Sequence, residues 1–259
     1  EKPYFLKNGV WRPTAVVEED HRSFYINQMY SFTVKPHELA MAYFRGVGDE
    51  AAMVEFFNSK QGLPYIPDGG QITEGEIDQA ISSYFKENQR PDIGTDRCIV
   101  MGIDQGKMNH IVIVEYLFQG GGDLNAAAHA KVLADFKLPG DNFEYLDPLM
   151  REWQIKACVI DADPQINDAR RFARRFPGYV WLCRYRRGVV GKELSVSEED
   201  GYAPIVTVDR TNWLDASMGR FHSDRVSLPA DTSLEFKDHI KALVRTYEKD
   251  DQGNPKQYI

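Results

Sequence analysis

Two short apolar runs, each ending in aspartate, constrain this chain more than any other feature. The first, Cys98-Ile99-Val100-Met101-Gly102-Ile103-Asp104, gives way to a small polar turn, Gln105-Gly106-Lys107. A run of nearly pure β-formers, Ile111-Val112-Ile113-Val114-Glu115-Tyr116, follows from His110. The second, Ala157-Cys158-Val159-Ile160-Asp161, leads into Ala162-Asp163-Pro164. Apolar runs of this length bounded by turn residues are buried strands. An aspartate at a single strand end commonly serves only the local turn. Two of them at the carboxyl ends of strands in one sheet can meet at its rim, where their oxygens suit a divalent cation.

The order of elements around these runs predicts the fold. Strands at 98–104 and 110–118 precede a third at 130–138, with Gly120-Gly121-Gly122 and Asn125 in the intervening turn. A helix from Phe143 to Trp153, the strand ending at Asp161, a helix over 165–176 and a strand over 179–185 come next. Strand, hairpin, hairpin, helix, strand is the topology of an α/β, ribonuclease H-like mixed sheet flanked by helices.

Residues 1–94 are expected to form a smaller, mostly helical α+β segment ahead of a domain over 95–259, with Arg90-Pro91-Asp92-Ile93-Gly94 as linker. In that first segment Val10–Pro13 and Ser23–Asn27 suggest short strands, and helices begin at Pro36 and near Asp49. Thr73 and Glu76 have capping-box spacing before a helical pattern through Ile77, Ala80, Ile81, Tyr84 and Phe85. Later, Arg210 to Phe221 is helical, and Arg225–Pro229 is a short strand. Thr232 and Glu235 have the same spacing before a helix that carries Asp238 and His239. The last residues, Lys256–Ile259, have the character of a strand that continues, so the chain is expected to be part of a longer one.

Charge narrows the function. The chain of 259 residues carries a formal net charge of -8, which disfavours a general nucleic-acid coat but not an enzyme with a local basic track. Residues 161–192 hold eight Arg/Lys against three Asp. Four of these cations, Arg170, Arg171, Arg174 and Arg175, lie on a helix whose apolar stripe is Ile166, Ala169, Phe172, Ala173 and Phe176, so a solvated outer face accounts for them. Arg184, Arg186, Arg187 and Lys192 follow the next strand and are the better candidates for a DNA backbone, since arginine forks bind phosphate in a bidentate manner. Asp163 is expected to cap the helix that Pro164 opens, with an outer metal-ligand role as the lesser reading. Cys98, Cys158 and Cys183 sit in apolar strands without CxxC spacing, which argues against a zinc site. No apolar run approaches the ~20 residues of a membrane span.

Taken together, several segments resemble the large subunits of tailed-phage DNA-packaging terminases, near the lambda-type branch. They are Gly9-Val10-Trp11-Arg12-Pro13-Thr14, Ser23-Phe24-Tyr25-Ile26-Asn27-Gln28-Met29-Tyr30-Ser31, Phe56-Phe57-Asn58-Ser59-Lys60-Gln61-Gly62-Leu63-Pro64, Gly102-Ile103-Asp104, Val159-Ile160-Asp161-Ala162-Asp163-Pro164 and Trp181-Leu182-Cys183-Arg184-Tyr185. The resemblance implies a nuclease that cuts concatemeric viral DNA during packaging, using Mg or Mn at two metal positions. By position it makes Asp104 the first metal-binding acid and Asp161 the second. It further implies double-stranded DNA, a portal protein and a small terminase subunit as partners, in the cytoplasm of an infected bacterium. Two departures stand out. No GxxxxGK[ST] phosphate loop is present, so the ATPase motor lies outside these residues. The family's third acid is expected beyond Ile259, and Asp238 imitates it only superficially.

Three other readings compete. One is a resolvase or transposase on the same fold. Another is a nucleotide-binding domain of the actin or hexokinase type, which also opens Gly-Ile-Asp-x-Gly before a hairpin but would require a second glycine-rich phosphate loop. The last is a non-catalytic module that grips DNA or a portal ring. Under the nuclease reading, Asp161→Asn abolishes cleavage with little change in stability.

Overall fold

The computed structural model describes residues 7–12, 23–89, 97–118, 128–186, 194–197, 204–249 and 255–258. By its internal contacts the chain divides into two compact units, residues 1–70 with 245–258, and residues 71–244 with Ile259. The linker expected at 90–94 lies outside the described residues. The stretch 71–89 ahead of it packs in the second unit, where Ile72, Ile77 and Ala80 join a core with Val132, Met218, Val226 and Leu228.

The first unit is built on α1 (Pro36–Gly46) and α2 (Glu50–Glu55). Pro36 sits in the first turn as the sequence suggests, and Asp49 caps α2 by accepting from the Ala52 N–H at 3.0 Å. A wider π turn, Phe56–Gln61, continues α2 and ends at Gly62, whose φ of 64° is the left-handed conformation glycine adopts freely. Tyr43, Phe56, Phe57 and Tyr65 pack in sequence, ending in a stacked pair 4.7 Å apart. The residues expected as strands, Val10–Arg12 and Ser23–Asn27, carry no regular structure. Asn27 instead caps a 3-10 turn, which suits a short polar side chain better than a ladder does. β9 (Thr246–Lys249) and β10 (Pro255–Tyr258) pair antiparallel.

The second unit contains an eight-stranded sheet among the described residues. Its strands are β1 (Ile99–Asp104), β2 (Met108–Phe118), β3 (Ala128–Pro139), β4 (Ala157–Asp161), β5 (Val180–Tyr185), β6 (Leu194–Ser197), β7 (Ile205–Val208) and β8 (Val226–Ser227). Spatial order is β6-β7-β5-β4-β1-β2-β3-β8. β1, β2 and β3 are antiparallel neighbours, while β4, β5 and β7 all run parallel to β1. This is the ribonuclease H-like arrangement. A glycine sets its first turn: a Cβ on Gly140, just past β3, would stand 2.0 Å from the Gly106 carbonyl oxygen, so only glycine lets the β1–β2 turn lie there.

Alternation along the strands sends side chains to two cores. Ile99, Met101, Ile103, Ile111, Ile113, Cys158 and Ile160 face one side. There α4 (Leu146–Glu152) contributes Leu146 and Met150, and α5 (Ile166–Arg175) contributes Ala169, Phe172 and Ala173. The other side receives α3 (Glu74–Ala80), α6 (Arg210–His222) and α7 (Leu234–Lys241) through Ile77, Met218, Phe221, Phe236 and Ile240.

Three local expectations need correction. The capping box of Thr73 and Glu76 is present, but α3 stops at Ala80 rather than running to Phe85. Ile81 leaves to bridge Leu228, and the Tyr84 hydroxyl donates to the Val132 and Ser227 carbonyls, so the apolar spacing serves the sheet instead. Ser233, not Thr232, caps α7; the Thr232 hydroxyl is spent on the Pro229 carbonyl at 2.6 Å. Finally, α5 begins at Ile166, two residues after Pro164, so Asp163 does not cap it.

Candidate functional site

β1 and β4 run side by side, with Ile103 opposite Ile160 as their last paired residues. One step further along both strands stand Asp104 and Asp161. Since Ile103 and Ile160 point into the helix-covered core, alternation turns both carboxylates to the opposite face. The sequence-level prediction that the two acids meet at the sheet rim is what the fold produces.

The carboxylates are close enough to share a hydrogen bond. Burial, then that bond, then the Asp104 charge push Asp161 up to about 6, against weaker opposition from a backbone bond at Gln105 and the Arg210 charge. Two adjacent carboxyl groups repel one another when both are ionised, and a shared proton or a nearby positive charge would relieve that repulsion.

Gln105 fixes the geometry of that centre. Its side chain is buried, at 7% exposure, although it directly follows the exposed Asp104. The amide nitrogen donates to the Asp161 carbonyl, and the amide oxygen accepts from the Gln165 N–H at 3.1 Å, just ahead of α5. One side chain thus ties the ends of β1 and β4 and the start of α5. Only its place beside Asp104 marked it in the sequence.

The pair opens into a cleft of about 620 Å³. Gly102 and Val159 lie on its floor; a Cβ at Gly102 would touch nothing within 4 Å, so this stretch of floor is open. His110, Asp135 and Lys137 from β2 and β3 line one side, Tyr185 and Arg210 the β5 and β7 side, and Glu235, Phe236 and His239 come from α7. Lys137 is ion-paired with Glu235, the His110 and His239 rings meet edge to face at 5.0 Å, and Asp135 pairs with Lys86.

The other candidates from the sequence fall in different places. Asp163 is exposed and lies 3.6 Å from Arg184. Asp238 is not among the cleft residues and contacts Lys241 at 3.1 Å, because Glu235 and His239, four apart, share the face of α7 that looks into the cleft and Asp238 does not. Arg186 is exposed just past β5, while Arg187 and Lys192 lie outside the described residues. The arginines of α5 belong to the helical layer on the far side of the sheet. Arg175 grips Asp147 at 2.7 Å and reaches the Phe143 carbonyl, and Arg171 pairs with Asp168; Arg170 is half-buried and Arg174 exposed.

Asp104 and Asp161 fit a hard divalent cation, since Mg is commonly held by one or two carboxylates with water and phosphate oxygens completing its shell. Among the described residues no group of three or more His, Cys, Asp or Glu comes together to hold a metal. No helix there is long and apolar enough to cross a membrane.

Residues 21–116 match the family model described as the terminase large subunit gpA, endonuclease domain. The match runs through Asp104 and ends before Asp161. A solved structure of the large terminase from a thermophilic bacteriophage is similar at 11% identity and a TM-score of 0.40, over 87% of this chain and 49% of that one. The chain therefore spans about half the length of that protein. No curated protein matches.

Proposed function

We propose that this chain, a terminase large-subunit nuclease region by its match over residues 21–116, is a divalent-cation-dependent DNA endonuclease that cuts concatemeric viral DNA during genome packaging. The observation carrying the reading is the Asp104–Asp161 pair at the carboxyl ends of adjacent parallel strands, open to a cleft.

A phosphodiester resists hydrolysis because its negative charge repels the incoming oxygen. Magnesium or manganese bound at such a pair lowers the pKa of water and offsets that charge. Asp104 and Asp161 would hold the metal. Gln105 keeps the Asp161 strand end in register with the Asp104 strand end, and the buried residues beneath, Ile103 and Ile160, keep both strands from shifting. The second metal position of a two-metal reaction requires further oxygen ligands, and Asp135 and Glu235 are the other carboxylates lining the cleft. By the same reading the partners are double-stranded DNA, a portal protein and a small terminase subunit, in the cytoplasm of an infected bacterium.

The test is incubation of the protein with supercoiled plasmid in EDTA, Mg or Mn, beside Asp104→Asn. Nicking and linearisation that need metal and vanish in the variant are expected. Equal activity in EDTA, or an Asp104→Asn protein as active as the parent, would remove the reading. A preference for branched DNA over linear duplex would favour a resolvase on the same fold.

A further inference from the structure

We propose that Arg210 and Tyr185 form the phosphate-gripping edge of this cleft, holding the backbone of the DNA strand against the Asp104–Asp161 pair. The proposal rests on the nuclease reading and adds to it the residues that receive the substrate's charge.

Strand direction carries the argument. β1, β4, β5 and β7 are parallel, so their carboxyl ends share one rim of the sheet, the place where open α/β sheets bind ligands. Asp104 ends β1, Asp161 ends β4 and Tyr185 ends β5. β7 ends at Val208, whose register partner is Tyr185, and the Arg186 N–H donates to the Val208 carbonyl at 2.9 Å. Arg210 follows two residues later as the first residue of α6. The start of that helix is fixed by Asp209, whose side chain accepts from the Asn212 N–H at 3.1 Å. Four consecutive strand ends thus present acid, acid, phenol and guanidinium to one cleft.

Charge supplies the second half. Cationic groups beside two carboxylates ease the approach of a phosphodiester, and among the described residues Lys137 and Arg210 line the cleft. Lys137 lies on the β3 side, ion-paired with Glu235. Arg210 lines the same cleft as Asp161 and is exposed. Its planar fork can engage two phosphate oxygens together, which a lysine ammonium cannot. Tyr185 is half-exposed and lines the same cleft. Its hydroxyl can donate to a phosphate oxygen.

The experiment measures equilibrium binding of a linear DNA duplex in EDTA over a salt series, with cleavage of the same duplex in Mg, for wild type, Arg210→Ala, Arg210→Lys and Tyr185→Phe. Loss of one phosphate contact should lower the slope of log affinity against log salt by about one in Arg210→Ala. Its kcat/KM should fall on the order of a hundredfold. Arg210→Lys should recover the salt slope but only part of kcat, and Tyr185→Phe should lose less than either. Wild-type slope and wild-type cleavage in Arg210→Ala would overturn the proposal, as would equal behaviour of the Lys and Ala variants. If Arg210→Ala melts early, Arg210→Gln carries the same comparison. If wild type cleaves nothing in any metal, the nuclease reading falls, while the salt slope in EDTA still decides whether Arg210 grips DNA.

Discussion

Burial and the Asp104 carboxyl raise Asp161 from an ordinary aspartate to about 6, which makes stability depend on pH in a definite sense. A carboxyl whose folded pKa exceeds its unfolded one contributes stability below the unfolded value and loses it as pH rises through the folded value. Metal-free protein should therefore weaken between about pH 4 and pH 6 on this group's account. Asp161→Asn removes the ionisation, so at pH 8 without metal it should be more stable than the parent, by roughly 1–2 kcal/mol. The difference should shrink towards pH 4 and, if Asp104 and Asp161 hold the proposed cation, narrow on adding Mg. Parallel melting curves across that range would show that the pair is not strained. Gln105 gives a second prediction at this scale. Gln105→Leu leaves the Asp161 carbonyl and the Gln165 N–H without their partner, costing about 1–3 kcal/mol, and cleavage should fall further than the melting temperature alone explains. Activity unchanged in a folded Gln105→Leu protein would show that the strand ends need no tie.

At the scale of elements, packing decided what local signals left open. The apolar spacing of Ile77, Ala80, Ile81, Tyr84 and Phe85 matches a helix, yet the chain straightens at Ile81, because its bridge to Leu228 and the Tyr84 hydrogen bonds lie on the sheet. Capping by Thr73 is nonetheless present, and Thr73→Ala should cost about 1 kcal/mol in chemical denaturation. Glu76 has a further tie: burial would raise its pKa, but hydrogen bonds from His222 and Thr73 bring it to about 2. The β1–β2 turn is held from outside by Gly140. Gly140→Ala pushes a methyl group into the Gly106 carbonyl, so it should destabilise by about 1–3 kcal/mol and depress cleavage by displacing Asp104. A wild-type melting temperature in Gly140→Ala would contradict that tight approach.

Across the whole second unit, the sheet separates two functions. One face is closed by α4 and α5 over Ile99, Met101, Ile103 and Ile160; the other carries the cleft beside α6 and α7. The arginines of α5 are thereby a sheet's thickness from the carboxylates, with Arg171 and Arg175 engaged by Asp168 and Asp147. The double variant Arg171→Ala/Arg174→Ala should leave duplex cleavage and its salt dependence near the parent's. A salt slope lowered by about two would show instead that DNA also contacts the far face.

Sequence alone determined the strand order around Asp104 and Asp161, because β-rich runs, turn residues and amphipathic spacing are local and the hairpins leave few ways to join them. It also placed both acids at the carboxyl ends of buried strands, where they can approach each other at the sheet rim. Which cations stand beside those acids was decided only by the tertiary structure. Arg210 is far along the chain from Asp161 and reaches it through β7, a strand that pairs in parallel with β5 and has no local signal of its partner. The same holds for Glu235 and His239, placed at the cleft by α7 packing through Phe236 and Ile240 onto the second core. Parallel pairing and helix docking join residues distant along the chain, and no short-range pattern encodes which distant residue will be met.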